Sequence, residues 1–310
     1  MTPDFTGYHA ATIGTFDGVH RGHQEVLAIL RDSARIGHMK PVVVTFDRHP
    51  LSVIAPERAP KEIYTPARKK QLLKESGMEV LMMKFSQEMM HLSAAEWLTL
   101  LRDRYNVRLV VLGYDNTFGS DGRAMTTDDY IRLGAALGIE VIVAPEIPGC
   151  SSSLARRALA DGDVAEAAHI LSRPYLLEGT VVSGDRIGRT LGFPTANLDT
   201  AAFRGLQLPA NGVYLSRVSL GNGEAHTGIT NIGVRPSVSR IPELRIETHL
   251  LDFDGELYGE RISLMFLSRL REEKKFSSLE MLKDAIARDE AAARALSDRH
   301  AIPTVKPNTI

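Results

Sequence analysis

The 310-residue sequence holds one cysteine, Cys150, so no internal disulfide can form and no C-x-x-C metal pair exists. That suits a reducing compartment, and a cytoplasmic location is expected. The formal net charge is only -1, from 37 Lys+Arg against 38 Asp+Glu, which gives no broad basic face. Neither nucleic acid nor an anionic membrane is therefore expected as a partner, and any phosphate binding should be local. No run approaches the roughly 18 apolar residues that a membrane span needs, and the first residues carry no basic segment leading into an apolar one. No secretion signal is expected. The chain also lacks any Gly-Lys dipeptide, which removes a Walker A loop, and it has neither G-x-G-x-x-G nor H-E-x-x-H. Use of ATP then requires other motifs.

What is present reads as a globular chain, 44% hydrophobic and 24% charged, long enough for two domains. Its first half alternates short β-rich runs at 9–14, 41–46, 80–85, 108–113 and 139–144 with helical patterns. Val26, Leu27 and Leu30 share one helical side before Gly37; Thr65-Pro66 reads as an N-cap with proline behind it, and Ser93-Ala-Ala-Glu96 as a capping box. This predicts a parallel α/β sheet with helices on both faces. Past Arg173-Pro174 the helical period gives way to strands at 176–182, 213–220, 226–232, 244–251 and 261–266, which predicts a small antiparallel barrel. A second capping box, Ser277-Ser-Leu-Glu280, opens a terminal helix. The expected domains are 1–172 and 173–300, with a tail at 301–310.

Residues 13–23, Ile-Gly-Thr-Phe-Asp-Gly-Val-His-Arg-Gly-His, compress a strand end, a glycine turn and a helix start. His20 and His23 are three apart, so a helix beginning near His20 sets both imidazoles beside its orphan N–H groups, where phosphate is favoured. Taken alone, the stretch reads equally well as a glycine turn with two solvated histidines. Thr45–Pro50 and Gly113–Gly119 each follow a predicted strand too, and ligands bind beyond the carboxyl ends of such strands. Ser151, Ser152 and Ser153 either cap a helix or hold phosphate oxygens with Arg156 one turn in. In the second half, Gly184, Gly188 and Gly192 precede Thr195 and Asn197, whose hydroxyl and amide oxygen suit Mg²⁺; a plain turn before a strand is the alternative. Strict alternation sets Glu247 with Arg245 and His249 on one strand face, either a general base or a surface carboxylate.

Six of these motifs in order, 13–23, 45–50, 113–119, 151–156, 192–197 and Glu247-Thr-His, resemble the prokaryotic bifunctional riboflavin kinase and FMN adenylyltransferase family, the FAD synthetases. The resemblance implies a nucleotidyltransferase-like α/β domain that adenylylates FMN and a flavokinase barrel that phosphorylates riboflavin, both with ATP and Mg²⁺. It implies that His20, His23 and Arg156 act on ATP phosphates, with Gly14, Phe16, Asp17, Gly18, Ser151, Ser152 and Ser153 lining that site. His49, Asp115 and Thr117 fall in its flavin-side elements. Gly184 and Gly188 belong to the kinase nucleotide loop, Thr195 and Asn197 to the metal and ATP site, Glu247 is the catalytic base, and Arg271 lies near the flavin. A monomer or weak homo-oligomer is expected. Departures from the family pattern cluster in the first domain: Arg48 for a common proline, Cys150 and Ser153 for isoleucine and threonine, and Leu154 for a frequent arginine. They leave open an alternative in which only the riboflavin kinase is catalytic.

Overall fold

A computed structural model describes residues 4–184, 188, 192–235 and 243–297. The expected tail and residues 185–187 and 189–191 of the glycine loop lie outside the described residues. The chain forms two compact units that divide between Ala155 and Arg156.

The first unit is a five-stranded parallel sheet in the order β3-β2-β1-β4-β5. Its strands are β1 (His9–Ile13), β2 (Lys40–Phe46), β3 (Glu79–Met83), β4 (Val107–Leu112) and β5 (Glu140–Val143). The connecting helices are α1 (Arg21–Ile36), α2 (Leu51–Ile54), α3 (Pro66–Glu75), α4 (Gln87–His91), α5 (Ala94–Tyr105) and α6 (Thr127–Ala136). Strand side chains alternate between faces, so Ile13, Val42, Val44 and Leu112 pack with Trp97, Leu98 and Leu101 of α5 and Tyr130 of α6. α1 packs against β1, β2 and β4 and buries Val26, Leu27 and Leu30.

The helix ends follow local chemistry. Thr65 Oγ1 accepts from the Arg68 N–H at 3.3 Å, and the Ser93–Glu96 box closes at both ends, at 3.3 and 2.8 Å. A further box, Thr126 with Asp129, starts α6 one residue before the sequence reading begins it.

The second unit begins with the remainder of α7 (Ser152–Asp161), then α8 (Val164–Leu171), and continues into a closed antiparallel barrel in the order β10-β7-β6-β11-β8-β9. The strands are β6 (Tyr175–Val182), β7 (Ala196–Leu198), β8 (Gly212–Ser219), β9 (Ala225–Arg235), β10 (Glu243–Leu250) and β11 (Arg261–Arg271). Six strands replace the five expected, because β7 has only three residues and shows no readable alternation. It pairs with both β6 and β10 and closes the barrel. α8 packs on β6 and β11, and the Ala210 N–H donates to Leu159 O at 2.9 Å, so residues 156–171, ahead of the expected boundary at 172/173, group with the barrel by contact.

The terminal helix α9 (Leu279–Ser297) packs on β9 and β11, and its Ala293 joins a small apolar cluster with Val213, Leu215 and Ile229. Its cap corrects the expected box. Ser278, not Ser277, accepts from the Met281 N–H at 3.2 Å, since the helix starts one residue later; the Ser277 hydroxyl meets the Met281 sulfur at 3.2 Å.

Candidate functional sites

In the first unit, a cavity of about 340 Å³ opens at the carboxyl edge of the sheet, where the loops after β1, β4 and β5 meet the start of α7. His20 is the N-cap of α1: its Nδ1 accepts from the His23 N–H at 3.4 Å. That bond leaves the neutral ring's proton on Nε2. The two imidazoles stack with centroids 3.7 Å apart and planes 24° from parallel, and the His23 ring lies 4.9 Å from that of Phe16.

The turn that presents them runs through left-handed backbone at Phe16, Gly18 and Val19, with φ of 47°, 78° and 44°. Glycine tolerates this freely, whereas a β-branched valine there is strained and must be held by its surroundings. Several bonds hold it. Asp17 Oδ1 accepts from the buried Ile63 N–H at 2.9 Å, and the Asp17 carbonyl accepts from Ser152 Oγ at 2.9 Å, which ties the start of α7 to the turn. Asn116 Nδ2 donates to Ile13 O at 2.5 Å, joining the β4 loop to the end of β1. Ser151 Oγ accepts from the Leu154 N–H at 3.1 Å and so caps α7.

The Lys69 ammonium lies beneath the turn, with the residue only 4% exposed. Its Nζ donates to Thr15 O at 3.0 Å and Phe46 O at 2.9 Å, clamping the loops that leave β1 and β2. Burial pushes its pKa down, and the nearby charges of Glu62, Asp17 and Asp47 oppose that shift. Burial pushes the Glu62 carboxyl up, partly offset by Lys69. Sequence reasoning missed Lys69, because Arg68-Lys69-Lys70 reads as the solvated side of a helix.

In the second unit, β10 buries Ile246, Thr248 and Leu250 in the barrel, so Glu247 and His249 project from its outer face. Glu247 stands directly opposite Asn197 on β7 and opposite Asn231 on β9. Directly opposed residues share a face, so the carboxylate and the two amides form one polar row. Arg245 Nη1 lies 3.8 Å from Glu247 Oε1. Gly184 is needed where it stands: a Cβ there would fall 2.5 Å from Asn197 Cγ and 2.7 Å from its Oδ1. A Cβ at Gly188 would fall on the carbonyl oxygen of Phe193 and lie 3.4 Å from Thr195 Oγ1, so Gly188 is required by the backbone that leads into Thr195 rather than by its side chain. Thr195 also lines a cavity of about 180 Å³ with Pro194, Leu250, Phe253 and Tyr258.

Comparison with known proteins joins the two halves. A model of the FAD synthetase family matches residues 3–154, and one of the riboflavin kinase family matches residues 171–297. A bifunctional riboflavin kinase/FMN adenylyltransferase of Pseudomonas fluorescens is 41% identical over 302 residues, 96% of this chain and 95% of that protein. Its counterpart in Escherichia coli K12 is 37% identical, covering 91% of each. The chain belongs to the bifunctional riboflavin kinase/FMN adenylyltransferase family. A solved Streptococcus pneumoniae structure, described as a macrolide-efflux protein, matches at TM-score 0.83 and 32% identity over 93% of this chain and 95% of its own. Among the described residues, no helix here is long and apolar enough to cross a membrane.

Within this family member, one cavity gathers Gly14, Phe16, His20, His23, Asp115, Thr117 and the three serines 151–153. Four expected residues do not line it. Asp17 and Gly18 build the turn from behind, and Arg156 lies a turn further along α7, past the division between units. His49 sits after β2, where its Nδ1 accepts from the Leu51 N–H at 3.2 Å. Arg271 forks onto Asp289 of α9 at 2.8 and 2.9 Å and lies 5.6 Å from the Phe276 ring, so it fastens the end of β11 to the terminal helix.

The donor set of the second site, a threonine hydroxyl and an asparagine amide oxygen, is hard oxygen of the kind a magnesium ion would take. Among the described residues no group of three His, Cys, Asp or Glu could hold a metal ion.

Proposed function

We propose that the second unit transfers the γ-phosphoryl group of ATP to riboflavin, and that the first unit transfers the adenylyl group of another ATP to the FMN so made. The observation that carries this reading is the pairing within one chain of two separate polar centres: stacked histidines at the N-terminus of α1, and Glu247 facing Asn197 on the barrel.

In the kinase step the ribityl 5′-hydroxyl gives its proton to Glu247 as its oxygen bonds to the γ-phosphorus, and the bond to the β,γ-bridging oxygen breaks to leave ADP. Thr195 and Asn197 are the residues that would hold Mg²⁺, which, when bound, offsets charge on the phosphates. Gly184, whose backbone lies against Asn197, and Gly188 serve the nucleotide side of the same centre. Arg271, by its fork to Asp289, positions the segment that borders the flavin.

In the adenylyl step a phosphate oxygen of FMN attacks the α-phosphorus and pyrophosphate leaves. The nucleophile is already an anion at neutral pH, so positioning and charge stabilisation suffice. His20 Nε2–H, His23 and the first N–H groups of α1 face the charge that develops on the leaving group, with Arg156 as a further cation. Asp115, Thr117 and His49 serve the flavin side. The protein works in the cytoplasm as a monomer or weak homo-oligomer, without nucleic acid.

Incubation with riboflavin, ATP and Mg²⁺, followed by chromatography, should yield FMN and then FAD. Riboflavin recovered unchanged overturns the reading, and FMN that accumulates without FAD confines it to the kinase. Glu247→Gln should abolish FMN formation and leave FAD formation from supplied FMN intact.

A further inference from the structure

His249 lies two residues beyond Glu247 on the same outer face of β10, and its Nδ1 is 2.7 Å from the carbonyl oxygen of Pro194. A carbonyl only accepts, so Nδ1 carries the proton and donates it. Proline has no N–H, which makes this carbonyl the one backbone group through which residue 194 can be held. Around it, the Phe193 N–H donates to Gly188 O at 2.8 Å, and the Phe193 ring meets the His249 ring edge to face, with centroids 5.6 Å apart. The next residue is Thr195, and ladder pairing with β10 begins only at Ala196 opposite Thr248. Gly192, at a φ of 86°, precedes the segment in a left-handed backbone conformation that residues with a Cβ rarely adopt.

We propose that His249 is a positioning residue of the kinase centre: its Nδ1–H bond to Pro194 fixes the backbone that carries Thr195 against the strand that carries Glu247. The proposal rests on the roles given above to Thr195 and Glu247. One strand thus supplies both the proton acceptor and the tie that sets its distance from the nucleotide-side hydroxyl. Small displacements between reacting groups cost rate steeply, about 100-fold for 1 Å.

The test compares three variants in the full-length protein. In asparagine the amide nitrogen takes nearly the place of Nδ1; in glutamine it reaches one carbon further; leucine keeps bulk without a donor. His249→Leu should raise the KM for ATP about 10-fold and lower kcat for FMN formation, with the KM for riboflavin little changed. His249→Asn should recover most of that loss, whereas His249→Gln should resemble leucine. FAD formation from supplied FMN, measured on the same samples, should stay at the wild-type rate and reports that the first unit is intact, while an unchanged thermal midpoint reports that the barrel carrying the substitution is folded. Wild-type FMN formation by His249→Leu overturns the proposal. So does an asparagine variant as poor as leucine, because the ring contact with Phe193 would then carry the effect. Thr195→Ala and Glu247→Gln run alongside: if both keep full FMN formation, the reading of the centre fails, whatever His249 does.

Discussion

At the scale of single residues, the group beneath the first site matters as much as those that line it. Lys69 presents a buried ammonium to two strand-end carbonyls, and three carboxylates, Glu62, Asp17 and Asp47, offset its charge. Removing one partner from such an arrangement leaves buried charge uncompensated, which costs far more than an exposed pair is worth. Lys69→Met should therefore lower the thermal midpoint and impair FAD formation from FMN, while FMN formation by the other unit persists; calorimetry and the two assays check this. Glu62 gives the arrangement a pH signature. Its folded pKa is raised above the usual 4.5 by burial, so between 4.5 and the folded value the native state binds more protons than the unfolded one. Its contribution is fully present below pH 4.5 and is lost as pH rises through the folded value. Denaturation midpoints of Glu62→Gln, measured across that range, should lack the decline that wild type shows.

At the scale of elements, the same linkage acts with the opposite sign at the start of α6. Asp129 accepts from the backbone and hydroxyl of Thr126 at 2.7 and 2.6 Å and pairs with Arg132, which together pull its pKa from 3.8 to about 2. The stabilisation is present above pH 3.8 and is lost as pH falls toward about 2, and Asp129→Asn should flatten that acid limb in a pH series of unfolding curves. Inside the barrel, Ser216, Thr230 and Thr248 bond in a chain at 2.7 and 3.0 Å, each fully buried. Thr230→Val strands two hydroxyls and should cost about 1–3 kcal/mol in urea denaturation. These elements also mark where the sequence was legible. Caps at Thr65 and Ser93, and the apolar stripe Val26, Leu27, Leu30, act through neighbours a turn away and can be read directly. β7 cannot, because three residues carry no period and its partners lie across the barrel on β6 and β10. Lys69 was hidden for a related reason: its burial is decided by carbonyls more than twenty residues away in sequence.

For the whole molecule, the legible part was the order of motifs; in the first unit each loop that follows a parallel strand brings its residues to one sheet edge without any knowledge of packing. What packing decided was which motif residues face a cavity and which support it: Asp17 turned to Ile63, and Arg271 turned to Asp289. Each cavity is lined wholly from one unit, residues 12–153 for one and 181–258 for the other. Apart from Arg156, the proposed chemistry then draws each centre from one unit and needs FMN as a shared compound but no side chain used by both. It follows that two chains, each disabled in one unit, should complement one another in solution. His23→Ala should make FMN from riboflavin but no FAD, and Glu247→Gln should make FAD only from supplied FMN. Mixed with riboflavin and ATP, they should produce FAD after a lag that shortens as FMN builds up faster, because product released by one chain is substrate for the other. Chromatography at several protein concentrations measures that lag. FMN accumulating in the mixture while FAD stays absent would mean that Glu247→Gln has lost the adenylyl step as well, so that the two centres are not independent.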